Sequence, residues 1–104
     1  VTGTVTYREQ MALPADAVIE VRLSDVTDPE ATKPMGFAKV AAEGRPVPIP
    51  FQLRYDPGKV LDSHIYVLRA AIRSGGKMLY ATDTAYPVLT QGKPATAELM
   101  LVRP

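Results

Sequence analysis

The sequence contains no cysteine and no tryptophan, a single histidine, and two phenylalanines among 104 residues. Without cysteine there is no disulfide and no thiolate metal site. One histidine with no thiolate beside it also argues against a tight zinc site, which needs several nitrogen or sulfur ligands. An excess of either charge is missing too, since the net charge is +1. Lys and Arg are scattered, with no run of them, whereas a dedicated nucleic-acid binder carries a basic patch or stripe. No stretch approaches 18 consecutive apolar residues, so no segment reads as a membrane-spanning helix. A helical period of 3.6 residues is absent from every window long enough to show one, so no substantial helix is expected. The one glycine pair, Gly75-Gly76, lacks the strand-to-helix setting of a phosphate cradle.

What the sequence does have is alternation. The clearest case is Val47, Ile49, Phe51, Leu53 and Tyr55, apolar at every second position and therefore on one face of a strand. Pro46, Pro48 and Pro50 interleave with them. Backbone N–H groups alternate between the two sides of a strand, so all three missing donors fall along one side. The donors of Val47, Ile49 and Phe51 remain on the other. This stretch is therefore expected at a sheet edge, apolar beneath and blunted outside.

The rest follows the same logic. Val1 to Tyr7 interleaves β-branched residues and reads as a strand. Leu13 to Asp16 is a turn, and Ala17 to Ser24 is a central strand. Asp25 to Pro34 reads as a connection in which Pro29 could start one helical turn. Met35 to Glu43 reads as a weakly patterned strand. Asp56 to Lys59 has turn chemistry, and Val60 to Asp62 is a connector. In the next strand Tyr66, Leu68, Ala70 and Ile72 face the core, while Ile65, Val67, Arg69, Ala71 and Arg73 face outward. Gly75-Gly76 predicts a tight hairpin into a returning strand over Met78 to Thr84. Tyr86 to Leu89 is extended and could cross to another sheet. Gln91 to Pro94 turns into a closing strand in which Ala97, Leu99 and Leu101 share a face. The length fits one domain over residues 1–104 with one core. The expected fold is all-β: a small antiparallel β-sandwich of about seven to eight short strands, with a partly open barrel as the alternative.

No residue set rises to a catalytic, cofactor-binding or metal-binding site. Asp62-Ser63-His64 contains the letters of a catalytic triad, but triad members meet from distant chain positions, and three neighbours before a strand are read as a turn. Asp83 between Thr82 and Thr84 is read as capping a strand end rather than as an acid or base. Tyr55, Tyr66, Tyr80 and Tyr86 are read as core-edge residues, although a cleft for a small apolar or glycan ligand would also use them. Val18, Ile65, Val67 and Val102 fall on outward faces, where they are either covered by a second layer or form a partner surface. A sheet edge that keeps its donors could accept a strand from another protein.

Several phrases together resemble one family. They are Val1-Thr2-Gly3-Thr4-Val5-Thr6-Tyr7-Arg8, Leu13-Pro14-Ala15-Asp16-Ala17 and Ile19-Glu20-Val21-Arg22-Leu23-Ser24-Asp25-Val26. Further on come Pro48-Ile49-Pro50-Phe51, Tyr55-Asp56-Pro57, Tyr66-Val67-Leu68-Arg69-Ala70, Leu79-Tyr80-Ala81-Thr82-Asp83-Thr84 and Tyr86-Pro87-Val88-Leu89-Thr90. Across nearly the whole chain they resemble the YbaY/YscW family of bacterial envelope lipoproteins. The resemblance implies a periplasmic β-sandwich, tethered to the outer membrane by a lipidated cysteine that these residues lack. A chain starting at Val1 is accordingly read as the processed part of a longer precursor. In the YscW branch, pilotins hold the C-terminal tail of a secretin subunit and deliver it to the outer membrane. The YbaY branch implies no particular chemistry. The resemblance carries over no catalytic residue and no cofactor. It implies a non-enzymatic domain, a monomer or weak dimer, whose partner is a secretin C-terminal segment or another envelope protein.

Overall fold

The structure is a computed structural model that describes residues 1–8 and 13–103; the sequence reads as a polar break over residues 8–10, of which 9 and 10 lie outside them. Among the described residues there are eight strands. They are β1 (Thr2–Tyr7), β2 (Val18–Asp25), β3 (Lys33–Ala41), β4 (Ile49–Gln52), β5 (Tyr66–Ser74), β6 (Lys77–Ala81), β7 (Tyr86–Val88) and β8 (Thr96–Leu101). The one helical element among the described residues is a single 3-10 turn, Pro57–Lys59, capped by Asp56, whose carboxylate accepts the Gly58 N–H at 2.9 Å.

A three-stranded sheet in the order β4-β1-β8 faces a second sheet in the order β3-β2-β5-β6, where β7 also pairs with β5. The two sheets do not close into a barrel, so the sandwich is the architecture. Alternation supplies the interior: Val5, Ile19, Val21, Leu23, Ile49, Tyr66, Leu68, Ile72, Leu99 and Leu101 are all buried. Two contacts fasten the sheets along one side. Ala81 and Val102 exchange N–H···O bonds of 2.9 Å, and the rings of Tyr7 and Tyr80 stack 4.3 Å apart.

The proline-rich strand is an edge, as its prolines require. Val1 and Leu53 donate to each other's carbonyls at 3.0 and 2.8 Å. Antiparallel pairing alternates, so the same phase turns the donors of Phe51 and Ile49 toward β1 and leaves Pro50 facing away. Ile49 and Phe51 are buried, while Pro50 and Gln52 are exposed. The regular strand is shorter than the alternation suggested: its ladder begins at Thr2↔Gln52, where β1 begins, and stops at Val5↔Ile49, while β1 continues to Tyr7 beside β8 alone. The glycine hairpin also holds: Gly75 and Gly76 have φ of 57° and 81° between the paired Ser74 and Lys77.

Four expectations need correction. First, β1 and β8 run parallel, from Thr2↔Thr96 to Tyr7↔Leu101, so the sandwich is antiparallel in every pairing but this one. β8 reaches β1 by crossing from the other sheet, and a crossover leaves strand direction free where a hairpin would fix it. Second, β3 starts at Lys33, inside the stretch read as a connection. Pro34 is tolerated there because β3 is an edge strand, and a register shift at Leu23/Ser24 accommodates it. Third, β7 stays in the sheet of β5 rather than crossing, and pairs Tyr86 to Val88 with Leu68 to Tyr66. Fourth, Val67 is buried although its face points outward, since Ser24 and Pro87 flank it on both neighbouring strands.

Candidate partner-binding surface

The sequence placed Asp62, Ser63 and His64 side by side, but the fold gives His64 a different partner. Its Nδ1 lies 2.6 Å from Oδ2 of Asp25, 39 residues away at the end of β2. An ionised carboxylate only accepts, so Nδ1 carries the proton in this pair. The other oxygen of Asp25 accepts from the Thr27 hydroxyl at 2.6 Å and the Thr27 N–H at 3.0 Å. The Thr27 hydroxyl in turn accepts the Ile65 N–H at 2.9 Å, and the Thr90 hydroxyl donates to the His64 carbonyl at 2.6 Å.

The Thr27 hydroxyl is the main cause of a lowered Asp25 pKa, about 2 against an ordinary 3.8, with His64 and the Thr27 N–H acting the same way and burial opposing them. The group ties the start of β5 to the end of β2. Every hydroxyl in it is committed to a backbone or carboxylate partner, so it has the histidine–carboxylate half of a triad without a nucleophile. Asp83 sits in the exposed turn after β6, with no hydrogen-bond partner among the described residues. Its neighbour Thr82 meets the Ala70 backbone through its hydroxyl at 3.2 and 3.4 Å. Among the described residues no three His, Asp or Glu side chains are grouped to hold a metal ion.

The tyrosines are structural. Tyr66 and Tyr80 are buried. The Tyr66 hydroxyl accepts the Leu61 N–H at 2.9 Å, and that of Tyr86 accepts the Met100 N–H at 3.1 Å and donates to the Met100 carbonyl at 3.4 Å. The outward aliphatics do not gather into one patch. Val18 lies opposite Arg73 at one end of β5, and Ile65 precedes the other end.

Two surface features of the larger sheet remain. The first is the outer edge of β3. Ala42 donates to the Ala17 carbonyl at 2.9 Å, which fixes the phase of the β2–β3 ladder. On the Gly36 side of the register shift, Gly36, Ala38 and Val40 turn their donors toward β2, and Phe37 and Lys39 turn theirs outward. The Ala41 carbonyl is already taken by the Arg45 guanidinium at 2.6 Å. The backbone of Phe37 and Lys39 is an open edge, whereas the β4 edge is shut by proline. Phe37 is 50% exposed, a large apolar side chain beside unused backbone donors.

The second feature is the outward face beside that edge. Phe37, Arg22 and Arg69 lie in one row across β3, β2 and β5. The Arg22 guanidinium stands 5.6 Å from the centre of the Phe37 ring. Among the described residues of β2, β3 and β5, the carboxylate on this face is that of Glu20, and it accepts from Nε of Arg73 at 2.9 Å. Sequence reading missed this row because nothing local marks it. Arg22 and Arg69 are far apart in the chain, and only the strand register makes them neighbours.

Comparison with known proteins adds three findings. A family model described as type III secretion system lipoprotein chaperone (YscW) matches residues 1–101. The uncharacterized lipoprotein YbaY of Escherichia coli (strain K12) is 40% identical over 103 residues, which is 98% of this chain and 54% of the relative. The chain thus spans about half the length of that curated relative. The solved structure of an alternative pilotin from the type II secretion system of Vibrio cholerae superposes with a TM-score of 0.95 at 37% identity, covering 100% of this chain and 95% of that one.

Proposed function

Because the chain belongs to the YscW family of type III secretion system lipoprotein chaperones, we propose that it is a non-enzymatic, envelope-tethered domain that binds a polypeptide, in the manner of a pilotin holding a secretin C-terminal segment. The observation that carries this reading is the near-complete superposition on a pilotin at 37% identity. At that similarity the two chains share the placement of their strands over the whole domain. The tether in this reading is a lipidated cysteine in the precursor, inserted in the outer membrane.

The β3 edge supplies a physical means of binding. An extended segment laid beside Phe37 and Lys39 would continue the ladder of the larger sheet, taking affinity from backbone bonds and specificity from side-chain contacts with Phe37. The hydroxyls around His64 are occupied in holding loops together, which fits a binding module rather than a catalyst.

Isothermal calorimetry tests the reading directly. The domain is titrated with synthetic C-terminal segments of the secretins encoded by its source genome. Saturable one-to-one heat with at least one segment is expected. Silence with all of them would remove the pilotin reading.

A further inference from the structure

The face beside the β3 edge has an electrostatic imbalance that the fold does not explain. Arg22 and Arg69 are directly opposed on β2 and β5. Like charges so placed destabilise a sheet, yet no carboxylate of the described residues separates them. Glu20 is held by Arg73 at 2.9 Å, and on the other side of Glu20 stands its cross-strand neighbour Lys39. Arg22 is engaged with the Phe37 ring, which leaves its edge donors free. Arg69 is exposed and makes no ion pair among the described residues. The backbone between them is open, because Ala71 and Ala81 keep the neighbouring rows low, and Thr82 and Met78 close the far side of the depression. Arg22 and Arg69 therefore line, with the Arg73–Glu20 pair, a shallow basin that holds three arginines and one carboxylate, a charge balance that suits a further carboxylate.

We propose that Arg22 and Arg69 form a carboxylate-binding site for an acidic residue or the C-terminal carboxylate of the partner polypeptide. The inference rests on the chaperone reading only for the partner's being a polypeptide. In it the partner supplies the missing negative charge, and Phe37 supplies an apolar contact at the end of the same row. The arginines are positioned for binding at the expense of the free domain, as the opposed pair indicates.

The test uses the full chain, labelled with nitrogen-15, and three probes: amidated hexaglutamate, acetyl-trialanine with a free carboxylate, and phosphatidylglycerol vesicles. Hexalysine is the control. Either carboxylate peptide is expected to shift the amides of Arg22, Phe37 and Arg69 saturably, and added salt is expected to weaken the effect. Arg22→Thr and Arg69→Thr are each expected to weaken binding by about tenfold while leaving the melting temperature unchanged or higher. Lys93→Thr, which removes the same charge from the β7–β8 turn, is expected to leave binding unchanged. Binding to the vesicles alone, equal shifts with hexalysine, equal loss in Lys93→Thr, or no shift at these amides would each overturn the site. A secretin segment that binds the double variant Arg22→Thr/Arg69→Thr undiminished would also overturn it and leave the chaperone reading intact. Peptide shifts at these residues without binding of any secretin segment would support the site and sink that reading instead.

Discussion

Gly3→Ala is the perturbation that most severely tests the parallel pairing of β1 with β8. A Cβ at Gly3 would lie 1.9 Å from the Ala97 carbonyl oxygen and 3.1 Å from the Phe51 ring. The oxygen is backbone in the facing strand, so no side chain can rotate away. To reach ordinary contact the separation must grow from 1.9 Å to about 3.4 Å, which pulls the two strands apart at Gly3↔Ala97. Overpacking of this kind costs roughly 1–3 kcal/mol. Losing about two ladder hydrogen bonds nearby adds about 1–3 kcal/mol. The expected loss is thus about 2–6 kcal/mol, a large part of the roughly 5–15 kcal/mol that stabilises a domain. It corresponds to a fall in melting temperature of roughly 10–45 °C. Urea unfolding followed by tyrosine fluorescence reads it, since the chain has five tyrosines and no tryptophan. Gly58→Ala is the control, because its Cβ would meet only the Asp56 carboxylate at 3.2 Å, a side chain able to yield. If Gly3→Ala unfolded at the same urea concentration as the parent, β8 could not lie where it is described.

Further outcomes follow from the polar contacts. Asp25 has its folded pKa lowered to about 2 from 3.8, so the stability it contributes is present above the higher value and is lost as pH falls through the lower one. The difference in urea midpoint between the parent and Asp25→Asn should therefore shrink between about pH 4 and pH 2; a difference that stays constant through that window would contradict the assignment. Tyr86→Phe removes the hydroxyl that serves both the N–H and the carbonyl of Met100. The expected cost is about 1–2 kcal/mol by urea unfolding, and a neutral result would mean that water replaces the hydroxyl.

Much of the fold was legible because it rests on local rules. Alternation located the inward faces of β2, β5 and β8. The spacing of Pro46, Pro48 and Pro50 identified an edge, since missing donors at every second residue can be tolerated only where no strand pairs. Gly75-Gly76 marked its hairpin because positive φ is nearly free only for glycine. What escaped was what depends on register between distant segments. Gly3 and Ala97 are brought together by a parallel pairing that no turn encodes. Pro34 argued against a strand at Lys33, yet a one-sided edge strand has no outer ladder for it to interrupt. His64 was visible as a lone histidine, but its partner Asp25 lies a whole sheet length away in sequence. The row Phe37-Arg22-Arg69 was hidden for the same reason, and charges that look scattered along the chain gather on one face when the strands align.

Hydrogen exchange of the β3 edge tests the central claim most directly. The N–H groups of Phe37 and Lys39 point outward with no partner among the described residues, so both are expected to exchange fast in the free domain. With the secretin segment identified by calorimetry added at saturation, both are predicted to slow markedly, while the already paired even-numbered amides of β3 change little. A bound complex in which Phe37 and Lys39 exchange as fast as before would contradict strand addition at this edge as the means by which the domain holds its partner.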